Sequence, residues 1–174
     1  MKKVAWAGIG VLMMFCFGAV ALAQGNARGE STITINGKKI SVDYGKPSLK
    51  GRTTEEMLGK LKPGGVWRMG SDKATSLKTE ADLSFGDLSV PAGEYSLFMQ
   101  RQEDNSWKLI INKQHGQWGT EHDASQDLGS APVKESKAGK PVETLTLTLH
   151  KEGDGGTLTT RWGTLEVTAS FTAK

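Results

Sequence analysis

Few side chains in this sequence have the means to do chemistry, and most of them lie in loops. His115, His122, Asp123 and Asp127 form the one closely spaced group of metal-capable residues, since neutral imidazole and carboxylate oxygen both ligate zinc and related divalent ions. Their spacing matches no established ligand pattern. His-x6-His is not the His-x3-His that one helical turn brings together, and the segment has no helical periodicity. His115, His122 and His150 are the only imidazoles available as a general base, and no Gly-x-Ser-x-Gly elbow presents a nucleophile. A catalytic triad would have to be assembled from distant residues. Glu103, Asp104 and Asp154 fall in polar turns, where solvation accounts for them better than paired glycosidase chemistry does.

Arginine and tryptophan in glycine-flanked loops offer binding chemistry instead. Trp67-Arg68 follows a Gly-Gly turn and precedes Gly70-Ser71-Asp72-Lys73. Trp67 is either a stacking wall or core filling. Arg68 is either a fork for a carboxylate, phosphate or sugar hydroxyl, or the internal partner of Asp43 or Asp72. Arg52 stands just before a helix start, where backbone N–H groups attract anions, but it lacks the glycines and the Lys-Ser/Thr ending of a phosphate loop, so a surface salt bridge is the preferred reading. Trp118, in Gln117-Trp118-Gly119, is read as an anchor packing its loop onto the sandwich rather than as a pocket floor. Convergence of Arg52, Trp67, Arg68, Asp72, Tyr95, Asn112 and Trp118 on one concavity would define a ligand site.

The elements that must position these residues are mostly strands. Two alternating segments flank Asn36-Gly37, a pair suited to a two-residue hairpin turn. Pairing Ile35 with Lys38 sets Ile33 opposite Ile40 and Ser31 opposite Val42, so one face is apolar and the other polar. A second hairpin is predicted around Gly86-Asp87, with Phe85 opposite Leu88 and Leu83 opposite Val90. Tyr95, Leu97 and Met99 alternate before a polar turn at 103–106, and Trp107, Leu109 and Ile111 alternate after it. Leu145, Leu147 and Leu149 lead to a turn at 153–156, and Leu158, Thr160 and Trp162 return from it, with a bulge at Gly163. One short, peripheral helix is predicted over residues 54–61, with Thr53 and Glu56 at capping-box spacing. Residues 116–140 lack steady periodicity and read as a long loop, mobile from Lys134 to Lys140. The pattern predicts a mostly β protein, an antiparallel β-sandwich or jelly-roll-like domain over residues 31–174.

The N-terminus reads as an export signal over residues 1–23: Lys2 and Lys3, an apolar run from Val4 to Leu22, then Ala21-Leu22-Ala23 in the small-x-small form a signal peptidase accepts. An uncleaved anchor is disfavoured because no basic stop-transfer cluster follows, and a lipobox is disfavoured because bulky Phe15 precedes Cys16. Cleavage before Gln24 would leave a flexible tail over residues 24–30 and would remove Cys16, the one cysteine of the chain. Thiol chemistry and disulfides are then excluded, and about 150 residues must hold together by their core alone. Lys2 and Lys3 also account for most of the formal charge of +3. No basic stripe remains for nucleic acid, and no second long apolar segment would span a membrane. The expected location is the periplasm or the extracellular medium.

Four phrases occur in order along the chain. They are Asp43-Tyr44-Gly45-Lys46-Pro47-Ser48 with Lys50-Gly51-Arg52; Val66-Trp67-Arg68-Met69-Gly70 with Ala74-Thr75; Val90-Pro91-Ala92-Gly93-Glu94-Tyr95-Ser96-Leu97-Phe98; and Asn112-Lys113 with Gly116-Gln117-Trp118-Gly119. Together they resemble an exported bacterial family catalogued as domain of unknown function 2911. The resemblance implies one exported β domain and brings no activity, cofactor or catalytic residue with it. The sequence departs from that family at Thr120-Glu121-His122-Asp123, where a tyrosine is expected.

The favoured functional expectation is a non-catalytic binding or interaction domain, without a cofactor, that recognises a small ligand or an envelope partner through its Arg- and Trp-bearing loops. The alternatives are a metal-dependent or hydrolytic enzyme using His115 to Asp127, and a structural protein of the cell envelope marked by an exposed strand edge or apolar patch.

Overall fold

The computed structural model describes residues 27–174. The expected signal peptide, with the first part of the tail after it, lies outside the described residues. Among the described residues no helix is long and apolar enough to cross a membrane.

In chain order the elements are β1 (Arg28–Ile35), β2 (Lys38–Gly45), α1 (Thr54–Leu58), β3 (Val66–Trp67), β4 (Thr75–Thr79), β5 (Leu83–Phe85), β6 (Leu88–Val90), β7 (Gly93–Arg101), β8 (Trp107–Asn112), β9 (Asp127–Pro132), β10 (Lys134–Glu152) and β11 (Gly155–Ala173). One sheet runs β1-β2-β4-β7-β8-β9, with β3 also on β7, and the second runs β10-β11-β5-β6. All pairings are antiparallel. Side chains of both sheets meet in one apolar core that includes Val42, Leu97 and Leu109 from the first sheet and Leu83, Leu145 and Val167 from the second. The mostly β, antiparallel architecture, with one short α-helix among the described residues, is the one the alternation predicted.

The first hairpin has the predicted register, with Ile35 opposite Lys38, Ile33 opposite Ile40 and Ser31 opposite Val42. Asn36 and Gly37 take φ of 51° and 77°, the left-handed pair that turns two twisted strands back on each other without splaying them. β1 nevertheless starts at Arg28, opposite Gly45, so the last three residues of the expected tail are part of the ladder. Arg28 is fixed there by its ion pair with Asp43. The second hairpin also keeps its predicted register, Phe85 opposite Leu88 and Leu83 opposite Val90.

The long loop predicted over 116–140 is corrected by the structure. β9 pairs with β8, placing Ala131 opposite Leu109 and Gly129 opposite Ile111. Lys134–Lys137, read as mobile, pair with Leu165–Thr168 of β11. Backbone hydrogen bonds need no apolar alternation, and from Lys134 to Lys140 only Ala138 is buried, so a paired strand here carries the composition of a loop. At the opposite end of this hairpin Leu149 faces Leu158, and the register breaks on either side of Val142, opposite Gly163, where the bulge was predicted.

The helix has its capping box: Glu56 N donates to Thr53 Oγ1 at 3.1 Å and Thr53 N donates to Glu56 Oε2 at 2.6 Å. It ends at Leu58 rather than Leu61, with Gly59 as its C-cap. Thr54 rests against the bulge at Gly163. Leu58 is buried, and Met57 and Leu61 pack half-buried against the core.

Candidate functional site

The site arises where one strand position is interrupted. β3 and β4 both pair with the same edge of β7: Trp67 lies opposite Met99, and Thr75 lies opposite Leu97. Residues 68–74 between them leave the sheet, so Phe98 of β7 faces an excursion instead of a ladder partner on that side.

Hydrogen bonds hold the excursion in place. Thr75 Oγ1 donates to the Met69 carbonyl at 2.9 Å. Ala74 N donates to Gln117 O at 3.0 Å and Gly119 N to Asp72 O at 2.8 Å, which ties the excursion to the loop after β8. Gly119 is required by this approach, because a Cβ there would lie 2.9 Å from Arg68 Cδ and 3.0 Å from Asp72 O. The loop after β8 is tied at its other end by Asn112, fully buried, whose Nδ2 donates to Asp123 O at 2.8 Å and to Asp127 Oδ1 at 2.7 Å. Asn112 Oδ1 accepts from Gln114 N at 2.9 Å.

Between the excursion, α1 and this loop lies a cleft of about 460 Å³. Trp67, Trp162 and Phe98 line it with aromatic surface, Met57, Leu58 and Leu61 form the helix wall, and Arg68, Thr120 and His122 bring polar groups. Trp67 is stacked on Trp162, ring centres 5.9 Å apart and 11° from parallel, and tilted against Trp107 at 6.0 Å. Trp162 is buried, and its indole Nε1 has no hydrogen-bond partner. His122 places its ring 4.7 Å from Phe98, and its Nε2 lies 2.9 Å from Asp127 Oδ1. This contact turns the ring toward Asp127 and fixes its orientation at the cleft wall.

The structure separates the sequence-predicted residues. Trp67 and Arg68 line the cleft, Trp67 serving the core as well. Asp43, one of the two acids considered for Arg68, is bound to Arg28 instead. Asp72, at φ 61°, contributes through the backbone carbonyl that holds Gly119. Trp118 is not the expected anchor: it sits beside the rim, 49% exposed, outside the lining. Arg52 lies in a different depression, and its Nε donates to Leu49 O at 2.9 Å where a surface ion pair was expected. Tyr95 is buried away from the cleft, its hydroxyl donating to Pro91 O at 2.8 Å, and Asn112 positions the loop. The expected seven-residue set thus contributes two cleft residues, with Asp72 and Asn112 shaping the cleft from outside.

The metal reading is not supported by the arrangement of its residues. His115 is exposed and lies 3.9 Å from Glu94, His122 turns to Asp127 and Phe98, and Asp123 caps the 3-10 turn at Ala124–Gln126. The Asp123 carboxyl is held below its ordinary value by the Ser125 hydroxyl and then the Ser125 N–H. Among the described residues no three His, Cys, Asp or Glu side chains come together as a metal site. Trp118 is also the one large apolar side chain left exposed among the described residues.

Sequence reasoning missed Trp162, Phe98, Met57 and Thr120 as site residues. Trp162 sits in a strand and belongs to the main core, while Phe98, off the alternating face of Tyr95, Leu97 and Met99, packs in a smaller cluster with Ala74 and Ile110. The available signal was the pair of short strand-like phrases Val66-Trp67 and Ala74-Thr75, too close together for two full strands and joined by glycine and polar residues.

The fold and site together define an antiparallel β-sandwich with an aromatic cleft opened by an interrupted strand. Residues 27–171 match the family described as protein of unknown function (DUF2911), and the chain belongs to that family. No curated protein and no solved structure matches the chain.

Proposed function

We propose that this protein is an exported binding domain that takes a small ligand into the cleft between α1, β3 and the loop after β8. The observation that carries the reading is the cleft itself. About 460 Å³ falls within the range of small-molecule sites, and the walls are aromatic and aliphatic with a few polar groups at defined points. Such walls supply affinity by burying apolar ligand surface, and the few polar groups orient what binds. Export rests on the N-terminal pattern of Lys2, Lys3, the apolar run and Ala21-Leu22-Ala23.

The neutral dye N-phenyl-1-naphthylamine, which brightens in apolar surroundings, tests the cleft. Saturable enhancement is expected with the parent protein, and Thr120→Trp, an exposed position at the opening, should abolish it while leaving the melting temperature unchanged. No enhancement, or enhancement indifferent to Thr120→Trp, would overturn the reading. N-terminal sequencing of the exported protein should begin at Gln24, and an intact Met1 would refute the signal.

A further inference from the structure

We infer that the ligand of this cleft is an anion with an apolar body: a small organic acid whose carboxylate, sulfonate or phosphate end meets Arg68 while its body lies against Trp67 and Trp162. The inference rests on the binding reading of the same cleft and adds the charge of what binds.

The charge on the walls is one-sided. Arg68 is the one permanently charged side chain in the lining, and no aspartate or glutamate is present there. A guanidinium offers donors and no acceptor, so what it meets in the cleft must accept. Thr120 brings a hydroxyl that can donate to an anionic end.

The alternatives fit poorly. A cationic ligand would meet Arg68 with no carboxylate on the walls to offset the repulsion. A sugar needs acceptors and donors in comparable number along its length, whereas Trp67, Trp162, Phe98 and the helix residues give it mainly hydrocarbon and aromatic surface. An apolar acid satisfies both halves.

Arg68 is also placed for this work. Gly119 packs against its side-chain stem, and the 68–74 excursion is hydrogen-bonded on both sides, so the stem that carries the guanidinium is held in place before any ligand arrives. Preorganised donors lose less freedom on binding than a mobile surface side chain does.

The test compares two dyes with the same aromatic body: neutral N-phenyl-1-naphthylamine and its sulfonate, 8-anilinonaphthalene-1-sulfonate. The parent should bind the sulfonate about tenfold more tightly than the neutral dye, or better. Arg68→Met should remove that preference, weakening the sulfonate about tenfold more than it alters the neutral dye, and Arg68→Lys should restore part of it. Rising salt should weaken only the sulfonate, a measurement on the parent that stands even if Arg68→Met folds poorly. Equal binding of both dyes, tighter binding of the neutral one, or a preference that survives Arg68→Met would overturn the anion inference while a Thr120→Trp-sensitive neutral dye left the cleft reading standing. Loss of both dyes from the parent would refute the two together.

Discussion

Replacing Asn112 with alanine should loosen the cleft from behind without touching it. The side chain is fully buried and makes three hydrogen bonds, to Asp123 O, to the Asp127 carboxylate and from Gln114 N, at 2.7 to 2.9 Å. A neutral hydrogen bond contributes about 1 kcal/mol net and one to a charged partner about 2 kcal/mol, which sums to about 4 kcal/mol. Asp123 is exposed, and Gln114 and Asp127 are partly so, which lets water replace some of what is lost. The expected cost is therefore about 2 to 3 kcal/mol. That corresponds to a fall in melting temperature of about 4 to 12 °C for a chain of this size. Because Thr120 and His122 stand on the loop that Asn112 ties down, the neutral dye should also bind more weakly. Asn112→Asp sharpens the test. Near neutral pH it sets a second carboxylate against Asp127 and should cost more than alanine, then recover as acid protonates one of the pair. A loss below about 0.5 kcal/mol in urea titration, together with unchanged dye affinity, would refute the view that Asn112 holds the loop.

Two pH-dependent effects follow from groups outside the cleft. Glu143 Oε1 accepts from the Ser48 hydroxyl at 2.6 Å and Lys50 N at 2.7 Å, and these bonds, the hydroxyl first, hold its carboxyl below the ordinary glutamate value. A lowered folded-state value gives stability that is present above the ordinary glutamate value and lost as pH falls through the lowered one. Glu143→Gln should therefore melt below the parent near neutrality and converge on it in acid, and a constant difference across that range would contradict the clamp. Tyr95 is raised above its ordinary value by burial and then by the charge of Asp82, so its contribution is intact below the ordinary tyrosine value and fades as pH rises through the raised one. Tyr95→Phe should cost about 1 kcal/mol near neutrality through the lost bond to Pro91 O, and its alkaline loss of stability should be shallower than the parent's by thermal melts.

The hairpins were legible because their registers are set locally. Asn36-Gly37 admits one turn geometry, and a slip of one residue would carry Ile35, Ile40 and Val42 to the solvent face, so pattern and turn agree on one answer. The capping box was legible for the same reason, since Thr53 and Glu56 satisfy each other within one helical turn. The strand character of Lys134–Lys140 was not legible. Its pairing with β11 extends where the core gives out, and exposed strands on both faces leave no apolar period to read.

The cleft was half legible, and the missing half has a physical cause. Trp67 and Arg68 stood out because an aromatic and a guanidinium beside glycine are unusual in a chain otherwise built of alternating strands. Nothing local told that Trp67 would stack on Trp162, nearly a hundred residues further along, or that Phe98 would face a gap in its own sheet. Both depend on β3 and β4 sharing one edge of β7. A continuous strand there would have completed the ladder along Phe98. The same interruption that opens the cleft carries Arg68 out of the ladder and against Gly119, so the opening and its charge have one structural origin. Shortening the excursion to make β3 and β4 continuous should then remove dye binding and the sulfonate preference in a single step, where Arg68→Met removes the preference while the neutral dye still binds.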